Sequence, residues 1–195
     1  MNKNDLRYIK TEQIIRKSFI DCVNANGFEK TTVSMICEAG LISRNAFYLH
    51  FTDKYDLLDR LLDEFRANLI SNYVSNTSES MKTKDILALT NKYLDVISEN
   101  KSNFLFLLKC SSERMRNVIQ EVIFEIPVKN IIPNYNEKNC DFKVKLNTSY
   151  LFSAIIAYTE LWLKNSDKMS KKDAAFELYQ LCEKPTILFF DALNL

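Results

Sequence analysis

With 195 residues, 47% of them hydrophobic, the chain is long enough to bury a sizeable core, either as one large domain or as a small one beside a larger one. A net charge of +1 argues neither for nor against a polyanionic partner, so any basic surface has to be local. Only two Gly and three Pro leave few of the positive-φ positions and breakers that hairpins need, every apolar run is interrupted short of the roughly 18 residues of a membrane span, and the opening MNKNDLRYIK is not followed by the apolar stretch of a secretory signal. The expectation is an all-α, cytoplasmic chain of long helices.

Five cysteines (Cys22, Cys37, Cys110, Cys140, Cys182) are scattered, odd in number and never spaced C-x-x-C, so neither a disulfide framework nor a zinc site is written here. His50 is the only imidazole, which excludes zinc sites built on several His and most base-activated nucleophiles. No catalytic residue, metal or cofactor is expected.

In chain order, Thr11 is expected to cap a first helix whose Ile14, Ile15, Ser18, Phe19, Cys22 and Val23 share one face, with Gly27 at the left-handed position that closes it. The stretch KTTVSMICEAG offers Thr31 or Thr32 as the next N-cap, carries Val33, Ile36 and Cys37 inward, and stops at Gly40. Ser43 then caps SRNAFYLHF, where Phe47 and Phe51 share an inner face while Asn45, Ala46 and Leu49 point away and Tyr48 and His50 flank the boundary. Two short helices joined by a tight Gly-containing turn make a helix-turn-helix pattern.

The first third of the chain resembles the TetR family of bacterial transcriptional regulators. The likeness lies in TEQII, in GFEKTTVSMICEAGLISR, in the Tyr of FYLHF and in the closing DKYDLL. It implies an all-α fold with a three-helix DNA-binding domain at about residues 8–68, its helix-turn-helix near 31–50, joined by a long fourth helix to a ligand-binding and dimerisation domain over 69–195. The partners it implies are double-stranded operator DNA, a second copy of the chain and a small-molecule effector, with no membrane.

In such a domain the third helix enters the major groove. Arg44 and Asn45, in its first turn, suit base readout, because Arg grips guanine and Asn adenine with paired hydrogen bonds. Ala46 and Leu49 would add apolar contacts, and the resemblance gives Tyr48 and His50 to the DNA backbone, although His50 has packing between helices as its alternative. Thr31 and Thr32 combine capping with a hydroxyl for a phosphate. Lys54, after the cap residue Asp53, matches the family's phosphate-binding lysine, with a solvated lysine as the alternative. Asn45 and Ala46 depart from the Gly and Thr frequent there, so an operator cannot be borrowed from a relative.

Farther on, Leu57, Leu58, Leu61, Leu62, Phe65 and Leu69 mark a long helix to about Tyr73. SNTSESMKTK reads as a polar break, Ile86, Leu89, Tyr93, Leu94 and Ile97 as an amphipathic helix, FLFLLKC as buried and ERMRNVIQEVIFEI as amphipathic. PVKNIIPNYNEKNCD reads as the least ordered region. Helices are expected over Phe142–Lys164 and Lys171–Cys182, with Pro185 starting a further short one. Ser153, Ala154 and Ala157 are small enough to let helices of two subunits approach. Tyr93, Phe104, Phe106, Phe124, Tyr150, Phe152, Tyr158 and Trp162 could line an apolar cavity or simply fill the core.

The reading is a dimeric repressor released by a small, largely apolar effector. The alternatives are a protein of the same fold that binds DNA or acts as an adaptor without ligand control, and an all-helical enzyme using Cys110 or Glu160.

Overall fold

The computed structural model describes residues 6–74, 80, 85–131 and 141–192, and among them every regular element is a helix. These are α1 (Leu6–Asn26), α2 (Val33–Ala39), α3 (Arg44–Tyr48), α4 (Lys54–Tyr73), α5 (Ile86–Glu99), α6 (Lys101–Cys110), α7 (Ser112–Gln120), a π turn (Glu121–Glu125), α8 (Ile126–Ile131), α9 (Phe142–Lys164) and α10 (Lys171–Ala192). All of the expected polar break at 75–84 except Ser80, and residues 132–140 of the stretch expected to be least ordered, lie outside the described residues.

The chain divides into two compact units, Met1–Glu64 with Leu105–Ser112, and Phe65–Phe104 with Glu113–Leu195. The boundary falls inside α4, so one continuous helix belongs to both.

In the first unit Ile15, Phe19 and Val23 of α1 meet Ile36, Phe47, Phe51, Leu57 and Leu58 in a core with essentially no solvent contact. Each such side chain contributes about 1.5–3 kcal/mol relative to leaving it in water. α1 begins at Leu6, upstream of the expected cap, and Thr11 lies inside it, donating its hydroxyl to Arg7 O at 2.9 Å. A mid-helix threonine satisfies itself on the preceding turn just as readily as it caps, which is why its side chain alone did not mark a start. Gly27 takes φ +81, as its place after the helix requires.

α2 stops at Gly40 as expected. Gly40 stays right-handed at φ −86 and the left-handed residue is Leu41, at φ 51. Leu41 N–H reaches Glu38 O at 3.2 Å and Ile42 N–H reaches Cys37 O at 3.0 Å, the paired closure of a Schellman motif. Gly40 is needed for space: a Cβ there would lie 2.9 Å from Ser18 Oγ and 3.0 Å from Ile14 Cγ2 of α1.

In the second unit α10 packs on α5 and α9. Arg66 pairs with Glu121, and Lys101 Nζ donates to Ser166 Oγ at 3.0 Å. The start of the stretch expected to be least ordered, from Pro127, is instead helical to Ile131. A proline ring clashes with the carbonyl four residues back, here that of Ile123, and the wider π turn over 121–125 draws that carbonyl away. Pro185 likewise lies inside α10 and restarts nothing. The carbonyl that loses its donor belongs to Leu181, whose side chain is 62% exposed, so water on that side can replace the missing N–H.

Candidate nucleic-acid interface and ligand cavity

α3 is held at its start by Ser43, whose Oγ accepts from Ala46 N–H at 3.1 Å, and α2 by Thr32, whose Oγ1 accepts from Met35 N–H at 3.3 Å. Asp53 Oδ1 accepts from the N–H groups of Tyr55 and Asp56, both at 2.8 Å, and so fixes the entry to α4. At 100° per residue, positions 47, 50 and 51 fall on one arc of the short helix and 44, 45, 48 and 49 on the other. The burial follows that division. Phe47, His50 and Phe51 are buried, Ala46 is half-buried, and Arg44, Asn45, Tyr48 and Leu49 are exposed.

Two residues expected at the DNA surface therefore lie inside the fold. Thr31 has no exposed surface and donates its hydroxyl to Gly27 O at 2.8 Å, which serves the turn and leaves Thr32 as the cap. His50 is 4% exposed, with its ring 3.9 Å from that of Tyr8. Among the described residues its Nδ1 has no hydrogen-bond partner, and it stands 3.8 Å from Glu12 Oε2. Burial, the largest influence, lowers the His50 pKa and Arg60 adds to it, outweighing the Glu12 carboxylate that raises it; the ring is neutral near pH 7. Tyr8, distant in sequence, was invisible as its partner.

Lys54 has a structural task. Its ammonium donates to Phe28 O at 2.9 Å and Glu29 O at 3.0 Å and lies 4.7 Å from the centre of the Phe28 ring, tying α4 to the loop after α1. One of its three hydrogens remains for a phosphate. Arg44 reaches back to Ser34 Oγ of α2, a partner that its position on the helix did not foretell. Phe51 lies between two guanidinium groups, with Arg16 5.9 Å and Arg60 4.7 Å from its ring centre. Arg16 bonds both Glu12 and Glu64, joining α1 to α4. This lattice grips the inner side of α3.

In the second unit a cavity of about 80 Å³ opens between α5, the π turn, α9 and α10. Tyr73 lines it from the end of α4, Leu89, Thr90 and Tyr93 from α5, Phe124 from the π turn, Phe152 from α9, and Cys182 and Thr186 from α10. Of the aromatic residues expected there, Tyr93, Phe124 and Phe152 line it. Phe104 is fully buried against Phe65, Phe106 belongs to the first unit and meets Phe19 edge-on, and Tyr150 is 70% exposed. Tyr158 donates to Ala174 O at 3.0 Å and Trp162 Nε1 to Met169 O at 3.1 Å, so both stitch the α9–α10 connection. The aliphatic and hydroxyl residues of the wall carry no periodicity distinct from that of the core.

These features define an all-helical protein with an N-terminal helix-turn-helix and a helical second unit. Residues 20–61 match the model for bacterial regulatory proteins, tetR family. The match covers the first unit's helix-turn-helix, from within α1 to within α4. It is similar to the HTH-type dhaKLM operon transcriptional activator DhaS of Lactococcus lactis subsp. lactis (strain IL1403), at 27% identity over 132 residues, which cover 63% of this chain and 65% of that relative. The fold is similar to that of the fatty acid degradation regulator FadR from Bacillus halodurans (TM-score 0.53, 16% identity, 88% of this chain and 93% of that one). It is also similar to FadR from Bacillus subtilis in complex with stearoyl-CoA (TM-score 0.50, 18% identity, 87% and 96%). Among the described residues no helix is long and apolar enough to cross a membrane.

Proposed function

We propose that the chain is a dimeric, DNA-binding transcriptional regulator controlled by a small molecule. The observation that carries this reading is the two-sidedness of α3, which is anchored through Phe47, His50 and Phe51 and presents Arg44, Asn45, Tyr48 and Leu49 outward within the matched family segment. None of those four is buried, and of their polar groups only the Arg44 guanidinium has, among the described residues, a bond to another helix, at Ser34 of α2. Arg44 and Asn45 read base edges, Ala46 and Leu49 offer apolar contact, and Thr32, Tyr48 and the remaining hydrogen of Lys54 meet phosphates. Residues 8–68 do the reading, and 69–195 hold the effector and the second subunit.

The pairing surface is the unburied side of α9 and α10. Phe142, Leu146, Tyr150 and Leu161 are 55–72% exposed at spacings of four and eleven residues, so they follow one stripe of α9, with the exposed Ser153 and Ala157 along it. Phe176, Leu181 and Leu188 of α10 are exposed as well. An apolar area of that extent is characteristic of a subunit interface.

The effector is small and apolar, in keeping with a cavity whose lining side chains are uncharged. Catalysis is not part of this reading: burial pushes the Cys110 thiol up to about 12, leaving no thiolate, and Glu160 pairs with Lys164. The DhaS relative is named an activator, whereas the family resemblance leans to repression, and the geometry of α3 serves both.

Selection of bound sequences from random DNA tests the reading. The expected yield is a pseudo-palindrome bound by a dimer, with affinity falling by several powers of the salt concentration. Recovery of no preferred sequence, or binding that ignores salt, would overturn it.

A further inference from the structure

The hydrogen-bond directions on the cavity wall constrain what it can hold. Thr159 Oγ1 donates its one hydrogen to Ile155 O at 2.7 Å, so in the 3.0 Å contact between the Tyr93 and Thr159 hydroxyls the donor is Tyr93. Thr90 Oγ1 donates its own hydrogen to Ile86 O at 2.8 Å. Both hydroxyls on the α5 wall have therefore spent their hydrogens within the protein and keep only acceptor lone pairs. Thr90 and Tyr93 are three residues apart and share a face of α5. Among the described residues no Lys, Arg, His, Asp or Glu lines the cavity.

At the α5 wall a carboxylate, or a carbonyl or ether oxygen, would meet lone pairs with no hydrogen between, whereas the other polar groups of the lining, the Tyr73 and Thr186 hydroxyls and the Cys182 thiol, stand on α4 and α10. An O–H or uncharged N–H would be satisfied at the α5 wall. We propose that the effector is a neutral molecule with an apolar body and one hydrogen-bond donor, an alcohol being the simplest case, and that the donor is received by Thr90 and Tyr93. This rests on the reading of the cavity as the effector site and adds the chemical class that the site selects.

Three probes separate the possibilities: 1-hexanol, its isomer dipropyl ether, which keeps the oxygen and loses the donor, and hexanoate. Binding of each to the full chain is measured by calorimetry or ligand-observed NMR. Hexanol is expected to bind about five-fold more tightly than the ether, a ratio typical of one net hydrogen bond, and hexanoate more weakly than either. In Thr90→Val and Tyr93→Phe, which keep the shape of the wall, the hexanol advantage should shrink towards parity while ether binding holds. Equal binding of the isomers, a preference for hexanoate, or an advantage that survives both substitutions together would overturn the donor assignment while leaving the cavity as a ligand site. Failure of all three probes to bind would remove the ligand site, and this inference with it.

Discussion

Positions 40 and 41 adjoin in sequence and should respond in opposite directions to a change of one side chain. Leu41 is left-handed at φ 51 with 94% of its surface exposed, so Leu41→Gly gives up almost no burial. A side chain in that conformation costs about 1–2 kcal/mol. The looser unfolded chain that glycine confers takes back about 0.4–1 kcal/mol. A net gain of about 0.5–1 kcal/mol remains for the helix-turn-helix. Gly40→Ala places a Cβ 2.9 Å from Ser18 Oγ, 3.0 Å from Ile14 Cγ2 and 3.3 Å from Ile36 O. The serine can rotate away but the carbonyl and α1 cannot, and overpacking of that kind costs about 1–3 kcal/mol. Amide hydrogen exchange in α2 and α3 reads the local stability of these turns directly. Protection should rise about two- to five-fold in Leu41→Gly and fall about five-fold or more in Gly40→Ala. If Leu41→Gly lowers protection, or Gly40→Ala leaves it intact, the closure of α2 described above is wrong.

Other substitutions separate support from recognition. Phe47→Ala should destabilise the first unit by about 3–5 kcal/mol, because a fully buried ring is lost; urea titration followed by circular dichroism measures it. Lys54→Met removes charge-assisted bonds to two carbonyls and should cost about 1–2 kcal/mol of stability as well as DNA affinity, whereas a lysine serving phosphate alone would leave the melt unchanged. The pKa of His50 is lowered by folding, so the unfolded chain binds the proton more readily: its contribution to stability is complete above about pH 6.5 and is lost as pH falls from there through the folded value. Stability measured from about pH 7 to pH 5 should therefore slope downward in the parent, and the slope should flatten in His50→Gln.

Local chemistry made much of the fold legible. Ser43 and Asp53 cap where their side chains and neighbours imply, Gly27 takes the left-handed turn, and α9 spans Phe142–Lys164 as its apolar spacing predicts. The features that escaped prediction depend on partners far away in sequence. His50 stands at a helix boundary when α3 is considered alone, and only Tyr8 and Glu12 of α1 explain its burial. Thr11 and Pro185 carry signals for helix starts that packing along a longer helix overrides. The cavity escapes because apolar stripes that meet and apolar stripes that leave a gap have the same period. Trp162 and Tyr158, whose size made them candidates for its wall, instead use their polar ends to close the α9–α10 turn.

The central claim, that the outward side of α3 reads DNA, is tested most directly by repeating the random-sequence selection with Arg44→Ala and Asn45→Ala beside the parent. Each substitution should relax preference at one base position per half-site and cost about 1–3 kcal/mol on the selected sequence, with the melting temperature unchanged in Asn45→Ala and lowered only slightly in Arg44→Ala, which loses one exposed bond to Ser34. An identical selected sequence and unchanged affinity in both variants would contradict the account.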